Sequence, residues 1–180
     1  YGALSSDTRG HSSVAIGHAA LESQNFTSSA DSFNTAVGKS AGNGITTGIG
    51  NTLIGGLAGD ALVASADNVA VGYLSLSTET GGQNNVAVGR SALENQVNSS
   101  GNIYNTAVGS KAGRAVTTGY SNVAVGGLAL VSNTTASNNT AVGYNAGSNL
   151  TTGYLNVAIG SGSLTAATTS SENVAVGQGA

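Results

Sequence analysis

Gly38-Lys39-Ser40-Ala41-Gly42 has the G-x-S-x-G spacing of a nucleophile elbow, in which a sharp strand-to-helix turn exposes a serine hydroxyl to a base. The same frame recurs as Gly55-Gly56-Leu57-Ala58-Gly59, Gly109-Ser110-Lys111-Ala112-Gly113 and Gly143-Tyr144-Asn145-Ala146-Gly147. Ser40 therefore stands in a variable slot and is not expected to be a nucleophile. His11 and His18 are the only histidines, and they lack the clustered ligands of a metal site. Eight carboxylates spread singly offer no acid–base pair, and the Asp-rich nonapeptide of calcium-binding rolls is absent. The reading is a non-enzyme with no catalytic, cofactor-binding or metal-ligating residues. What remains is recognition, through the aromatics Phe26, Phe33, Tyr104, Tyr73, Tyr144, Tyr120 and Tyr154.

These residues are placed by a repeat. Asn-(Val/Thr)-Ala-(Val/Ile)-Gly, as in Asn122-Val123-Ala124-Val125-Gly126, occurs ten times with small variations. Its glycine falls at Gly17, Gly38, Gly55, Gly72, Gly89, Gly109, Gly126, Gly143, Gly160 and Gly177, a 17-residue step that lengthens only after Gly17 and after Gly89. A fixed period of this order signifies stacked units, none of which buries its apolar face alone. Val123-Ala124-Val125 reads as a short strand, because β-branched residues alternate with Ala and a glycine ends the run. Stacked at about 4.8 Å, ten such strands make a parallel sheet roughly 45 Å long. The fold class is thus all-β, a parallel β-solenoid or β-roll with one coil per 17-residue repeat.

Composition agrees. The chain has 180 residues, 28 Gly, no Pro, Met or Trp, and 7% charged residues. Its 39% apolar content comes mainly from Ala and Val, which suit a thin core. Net charge is −3, and Arg9, Lys39, Arg90, Lys111 and Arg114 are scattered, so no basic stripe neutralises phosphates and nucleic acid is not an expected partner. No apolar run reaches the ~18 to 20 residues of a membrane span. Tyr1-Gly2-Ala3-Leu4 and Gln178-Gly179-Ala180 both fall inside a repeat. Residues 1–180 are read as one continuous array cut within a repeat at each end.

Two features of the repeat are informative. Asn precedes the strand in nine of ten units, the exception being Ser13; stacked in register, these residues either form an amide ladder or supply a turn conformation. The half after the glycine has two flavours. One carries Leu at the fourth place (Leu4, Leu21, Leu76, Leu93, Leu130, Leu164), with a polar seventh residue at Asp7, Gln24, Glu79, Gln96 and Asn133. The other has Gly at the fourth place (Gly42, Gly59, Gly113, Gly147) and an apolar seventh: Ile45, Leu62, Val116, Leu150. This suggests one core slot filled by two backbone routes.

The longer steps put extra residues near 22–33 and 94–104, as outer-loop insertions, and insertions of this kind often mark a binding face. They carry Phe26, Phe33 and Tyr104. Tyr73 and Tyr144 follow the signature glycine, while Tyr120 and Tyr154 stand two repeats apart at one register. Aromatics among Asn and Thr suit saccharide recognition, and they equally suit covering a coil edge.

Asn139-Thr140-Ala141-Val142-Gly143-Tyr144-Asn145-Ala146-Gly147, followed by Thr151-Thr152-Gly153, resembles the repeat arrays of bacteriophage tail fibres. The Asn-(Val/Thr)-Ala-(Val/Ile)-Gly run also resembles the head repeats of YadA-like trimeric adhesins, whose period is shorter than the step found here. The likeness spans essentially the whole chain. It implies a side-by-side homotrimer and an extracellular place on a virion tail fibre or cell surface. The implied function is a structural and adhesive segment of a trimeric fibre, attaching to a host-surface glycan or receptor. Two alternatives stand: the head of a bacterial adhesin binding glycan or matrix, and an ice-binding solenoid. Against the last, the outer strand positions mix Thr35, Thr52, Thr106 and Thr140 with six valines.

Overall fold

The computed structural model describes residues 2–98 and 101–180. Tyr1, which opens the first partial repeat, and Ser99 and Ser100 in the second insertion lie outside the described residues. The described chain is all-β. Ten three-residue strands (Val14–Ile16, Thr35–Val37, Thr52–Ile54, Val69–Val71, Val86–Val88, Thr106–Val108, Val123–Val125, Thr140–Val142, Val157–Ile159 and Val174–Val176) pair in chain order into one parallel sheet. Every pair is in register, Ala on Ala except where Leu53 stands between Ala36 and Ala70. The register survives both insertions, since Val14 pairs with Thr35 and Val86 with Thr106.

The middle residue of each strand points inward and the two flanking residues point outward. Ala36, Ala70, Ala87, Ala107 and Ala141 are fully buried, whereas Val and Thr at the flanks are partly or largely exposed. The core therefore differs from the expected Ala and Val mixture. It is Ala with one branched aliphatic per coil from the half after the glycine, plus Leu53 from a strand, and Val116 is its only valine among the described residues. Strand valines are on the outside because a three-residue strand buries only its central side chain.

The signature glycine is fixed by contact. At every one of these positions φ lies between +122° and +139°, and a Cβ added to Gly126 would sit 2.5 Å from the Gly143 carbonyl oxygen of the next coil. No side chain fits there.

The two flavours share one backbone route, not two. The fourth residue has positive φ in both, 48–54° for the leucines and 56–59° for the glycines. Only the origin of the core side chain differs: a Cβ on Gly42 would meet Ile45 Cδ1 at 3.2 Å, and one on Gly59 would meet Leu62 Cδ1 at 2.8 Å. Burying a whole Leu offsets the left-handed strain of about 1–2 kcal/mol that this position imposes on it.

The asparagines form the ladder. Asn51 donates its backbone N–H and its Nδ2 to Asn34 Oδ1 (2.9 and 3.1 Å), while Nδ2 also donates to the Ser65 carbonyl at 2.9 Å. Each such amide ties three coils together, and the pattern recurs at Asn122, Asn139 and Asn156. None of the column asparagines has positive φ. The left-handed residue is the one before, including Phe33 and Tyr104.

Candidate recognition surface

The core being uniform, chemical variety is confined to outward positions and to the two insertions. Each insertion adds a short parallel pair beside the main stack, Gly10–His11 with Ala30–Asp31 and Gly82–Gln83 with Gly101–Asn102. Beneath each pair is a buried polar relay. Glu79 is fully buried, and its Oε1 accepts backbone N–H bonds from Thr80, Gly81, Gly82 and Asn98 at 2.8–3.1 Å. Its Oε2 accepts from Gln96 Nε2 at 2.8 Å, and Gln96 Oε1 accepts from Asn105 Nδ2 at 2.9 Å. Asp7, Gln24 and Asn34 repeat this arrangement: Asp7 accepts from Gly10 N (2.7 Å) and Gln24 Nε2 (2.6 Å), and Gln24 accepts from Asn34 Nδ2 (2.9 Å). Burial opposes ionisation of Asp7, but the bonds from Gln24, Gly10 and Arg9, with His11 nearby, outweigh it and lower its pKa.

The relays are not among the expectations drawn from the sequence, although it carries a signal for them. An acidic seventh residue, then Gln one repeat later, then a long step occurs twice, at Asp7/Gln24 and Glu79/Gln96. Gln24, Glu79 and Gln96 at the polar seventh place are buried, because the inserted loops need internal partners for their backbone groups. Asn133 has the same place without an insertion. It is buried, and both its side-chain polar atoms are unpaired among the described residues.

The first insertion also brings together residues far apart in sequence. His11 Nδ1 lies 3.0 Å from Asp31 Oδ1, and His11 Nε2 lies 2.8 Å from Ser29 Oγ. Ser12 Oγ donates to the same carboxylate at 2.6 Å. Bonds from Ser12 and His11 lower the Asp31 pKa. The Asp–His–Ser connectivity is that of a hydrolytic triad. However, the His11 and Asp31 side chains are 53% and 56% exposed, so water screens the charge stabilisation on which such a triad depends. Its evident work is to fasten the two short strands together, helped by Arg9, which donates to the Thr27 carbonyl. Ser40 occupies a left-handed corner shared by Leu57, Lys111 and Asn145 (φ 56–60°), as its variable slot implied. No group of three or more potential metal ligands occurs among the described residues.

Six of the seven aromatic candidates face outward. Phe33, Tyr104, Tyr73, Tyr144, Tyr120 and Tyr154 are 49–63% exposed. Phe26 is the correction: it is 8% exposed and packs against Gly10, where a Cβ would come within 2.9 Å of its ring, so it holds the loop and presents little to a partner. Tyr73 and Tyr144 lean over Gly56 and Gly127 of the preceding coil, at 3.5 and 3.6 Å from the position of a Cβ there. They thus cover a coil edge on one face and remain open on the other. Tyr120 and Tyr154 line one recess of about 350 Å³ with Thr135, Ala136, Ser137, Asn138 and Thr152; Lys111 and Arg114 do not line it. The surface assembled here can stack on and hydrogen-bond to neutral groups, and it has little charge with which to draw in ions. No family model, curated protein or solved structure matches the chain.

Proposed function

We propose that this chain is a segment of an extracellular trimeric fibre, most like a phage tail fibre or similar appendage, that spaces and presents surface for attachment to a host cell. The observation carrying this reading is the separation of roles within each coil: a repeated interior of Ala, Leu and Asn, and an outer surface where large aromatics stand exposed on a rigid stack. The interior builds length. The exterior supplies many shallow contacts, which avidity between identical chains would multiply.

Trimerisation is part of the proposal. The outward strand face carries Ile54, Val108, Val142 and Ile159 at 37–40% exposure, in rows that run the length of the sheet. An apolar stripe of this kind is commonly covered by another surface, and side-by-side copies of the same rod match its length by construction. The binding is to a cell-surface glycan or receptor, without catalysis.

The test is adsorption of the purified protein to a panel of bacterial cells and to immobilised matrix proteins, comparing the intact array with one whose two insertions are trimmed to the 17-residue step. Binding to bacterial cells that falls on trimming supports the fibre reading with the loops as its contacts. Binding to matrix protein alone favours an adhesin head. Absence of binding in every arm refutes attachment and leaves a spacer.

A further inference from the structure

The recess between Tyr120 and Tyr154 has a geometry that narrows what it can hold. Hydrogen bonds fix the stacking: Tyr120 N donates to Ser137 Oγ at 3.1 Å, Asn138 N to the Tyr120 carbonyl at 3.1 Å, and Leu155 N to the Ser137 carbonyl at 3.4 Å. Tyr154 N donates in turn to Ser171 Oγ at 3.1 Å. One register position therefore reads Tyr120, Ser137, Tyr154, Ser171 in four successive coils, large alternating with small. The tyrosines are two coil steps apart, about 9.6 Å at the spacing of paired strands, and the small, buried Ser137 sits between them.

We propose that Tyr120 and Tyr154 are the walls of a slot that takes one neutral pyranose ring of a surface glycan, an assignment that rests on the attachment reading above and names its ligand class. The spacing of about 9.6 Å is that of the two backbones; rings carried at full coil separation would leave more room than the ~7 Å a planar ring needs at carbon contact distances of roughly 3.5 Å on each side, and a puckered, saturated ring is thicker than a planar one. The lining decides the polarity. Thr135, Ser137 and Thr152 bring hydroxyls, Asn138 an amide, and none of the lining residues is charged, so the ligand is neutral and rich in hydroxyls. Thr135, Asn138 and Thr152 are exposed at the rim, where they can meet hydroxyls that project from the ring's edge. Tyr supplies an apolar face for the axial C–H groups and a polar tip for the rim.

Two other recesses lack these features. The one bounded by Thr8, Arg9, Asn25, Phe26 and Thr27 has a single, buried aromatic. That bounded by Leu164, Ala167, Asn173 and Ala180 has no aromatic in its lining.

The experiment is saturation-transfer NMR on the intact protein with the methyl glycosides of glucose, galactose, mannose and N-acetylglucosamine as probes, and adenosine as a planar probe. Variants are Tyr120→Ser and Tyr154→Ser, which place at this register the residue that alternate coils already carry, with Ile49→Ser, an exposed apolar residue at the same register in a distant coil, as the control. Melting curves verify that each variant is folded. The expected result is transfer to at least one glycoside, with millimolar affinity that weakens tenfold or more in both slot variants and is unchanged in Ile49→Ser. Absence of transfer to every glycoside, transfer that both slot variants retain, or transfer to adenosine alone would each overturn the slot. Cell adsorption of the same variants separates the two claims: adsorption without glycoside binding removes the slot and leaves attachment standing, and glycoside binding without adsorption does the reverse.

Discussion

Asn122 shows how one side chain holds several coils. Its Oδ1 accepts from the Asn139 backbone N–H at 3.0 Å, and its Nδ2 donates to the Ala136 carbonyl at 2.8 Å. Asn122→Ala strands both groups in a buried setting, each at about 1–3 kcal/mol, so a loss of roughly 2–5 kcal/mol is expected in chemical denaturation. Asn122→Asp keeps the shape and replaces the donor with a charge facing the Ala136 carbonyl. Burial would then raise its pKa, so this variant is expected to be least stable at neutral pH and to recover as acid protonates it, which thermal melting from pH 3 to 8 would reveal. Asp60 is the natural case. Burial raises its pKa, and its Oδ1 has no partner among the described residues. A raised folded-state pKa gives stability that is present below the unfolded pKa and is lost as pH rises through the folded value. Asp60→Asn should therefore melt higher than the parent at pH 7, the difference closing in acid.

Between residues and the whole lies the coil, in which Leu at the fourth place and an aliphatic at the seventh fill one space from one backbone. Leu130→Ala should cost about 2–4 kcal/mol as a core truncation. The double change Leu130→Gly with Asn133→Leu should recover most of that loss, because it relieves a left-handed Leu (φ 49°) and removes a buried unpaired amide. Equal melting of the single and double variants would refute the shared slot. The insertions are anchored by their relays: Glu79→Ala is expected to raise hydrogen exchange at Gly81, Gly82 and Asn98, which donate to its carboxylate, while amides of the main sheet remain protected. Uniform acceleration across the sheet would mean that the relay supports the stack itself.

On the scale of the molecule, an unbroken ten-stranded sheet makes a rod that depends on neighbour contacts, and its outward apolar rows are where the proposed trimer would be joined. Val108→Lys combined with Val142→Lys places charges on that face without touching the buried Ala positions. Sedimentation equilibrium is expected to show the parent as a trimer and the variant shifted toward monomer with its circular dichroism unchanged. A parent that sediments as a monomer at all concentrations would rule out this assembly.

The period, the strands and the parallel stacking were determined by the sequence, because a strict repeat compels each residue type into one environment and Gly, Ala and Asn tolerate few others at these positions. Tertiary structure alone decided which polar residues are inside. Glu79, Gln96 and Gln24 show in one dimension only that the seventh place is polar, and they are buried because inserted backbone between coils needs acceptors and donors that only a folded neighbour can place. It also decided that Phe26 turns inward while Phe33 turns out, and that Tyr120 and Tyr154, two repeats apart in the chain, line one recess with Ser137. Those outcomes depend on distances between coils, which no local preference of the chain encodes.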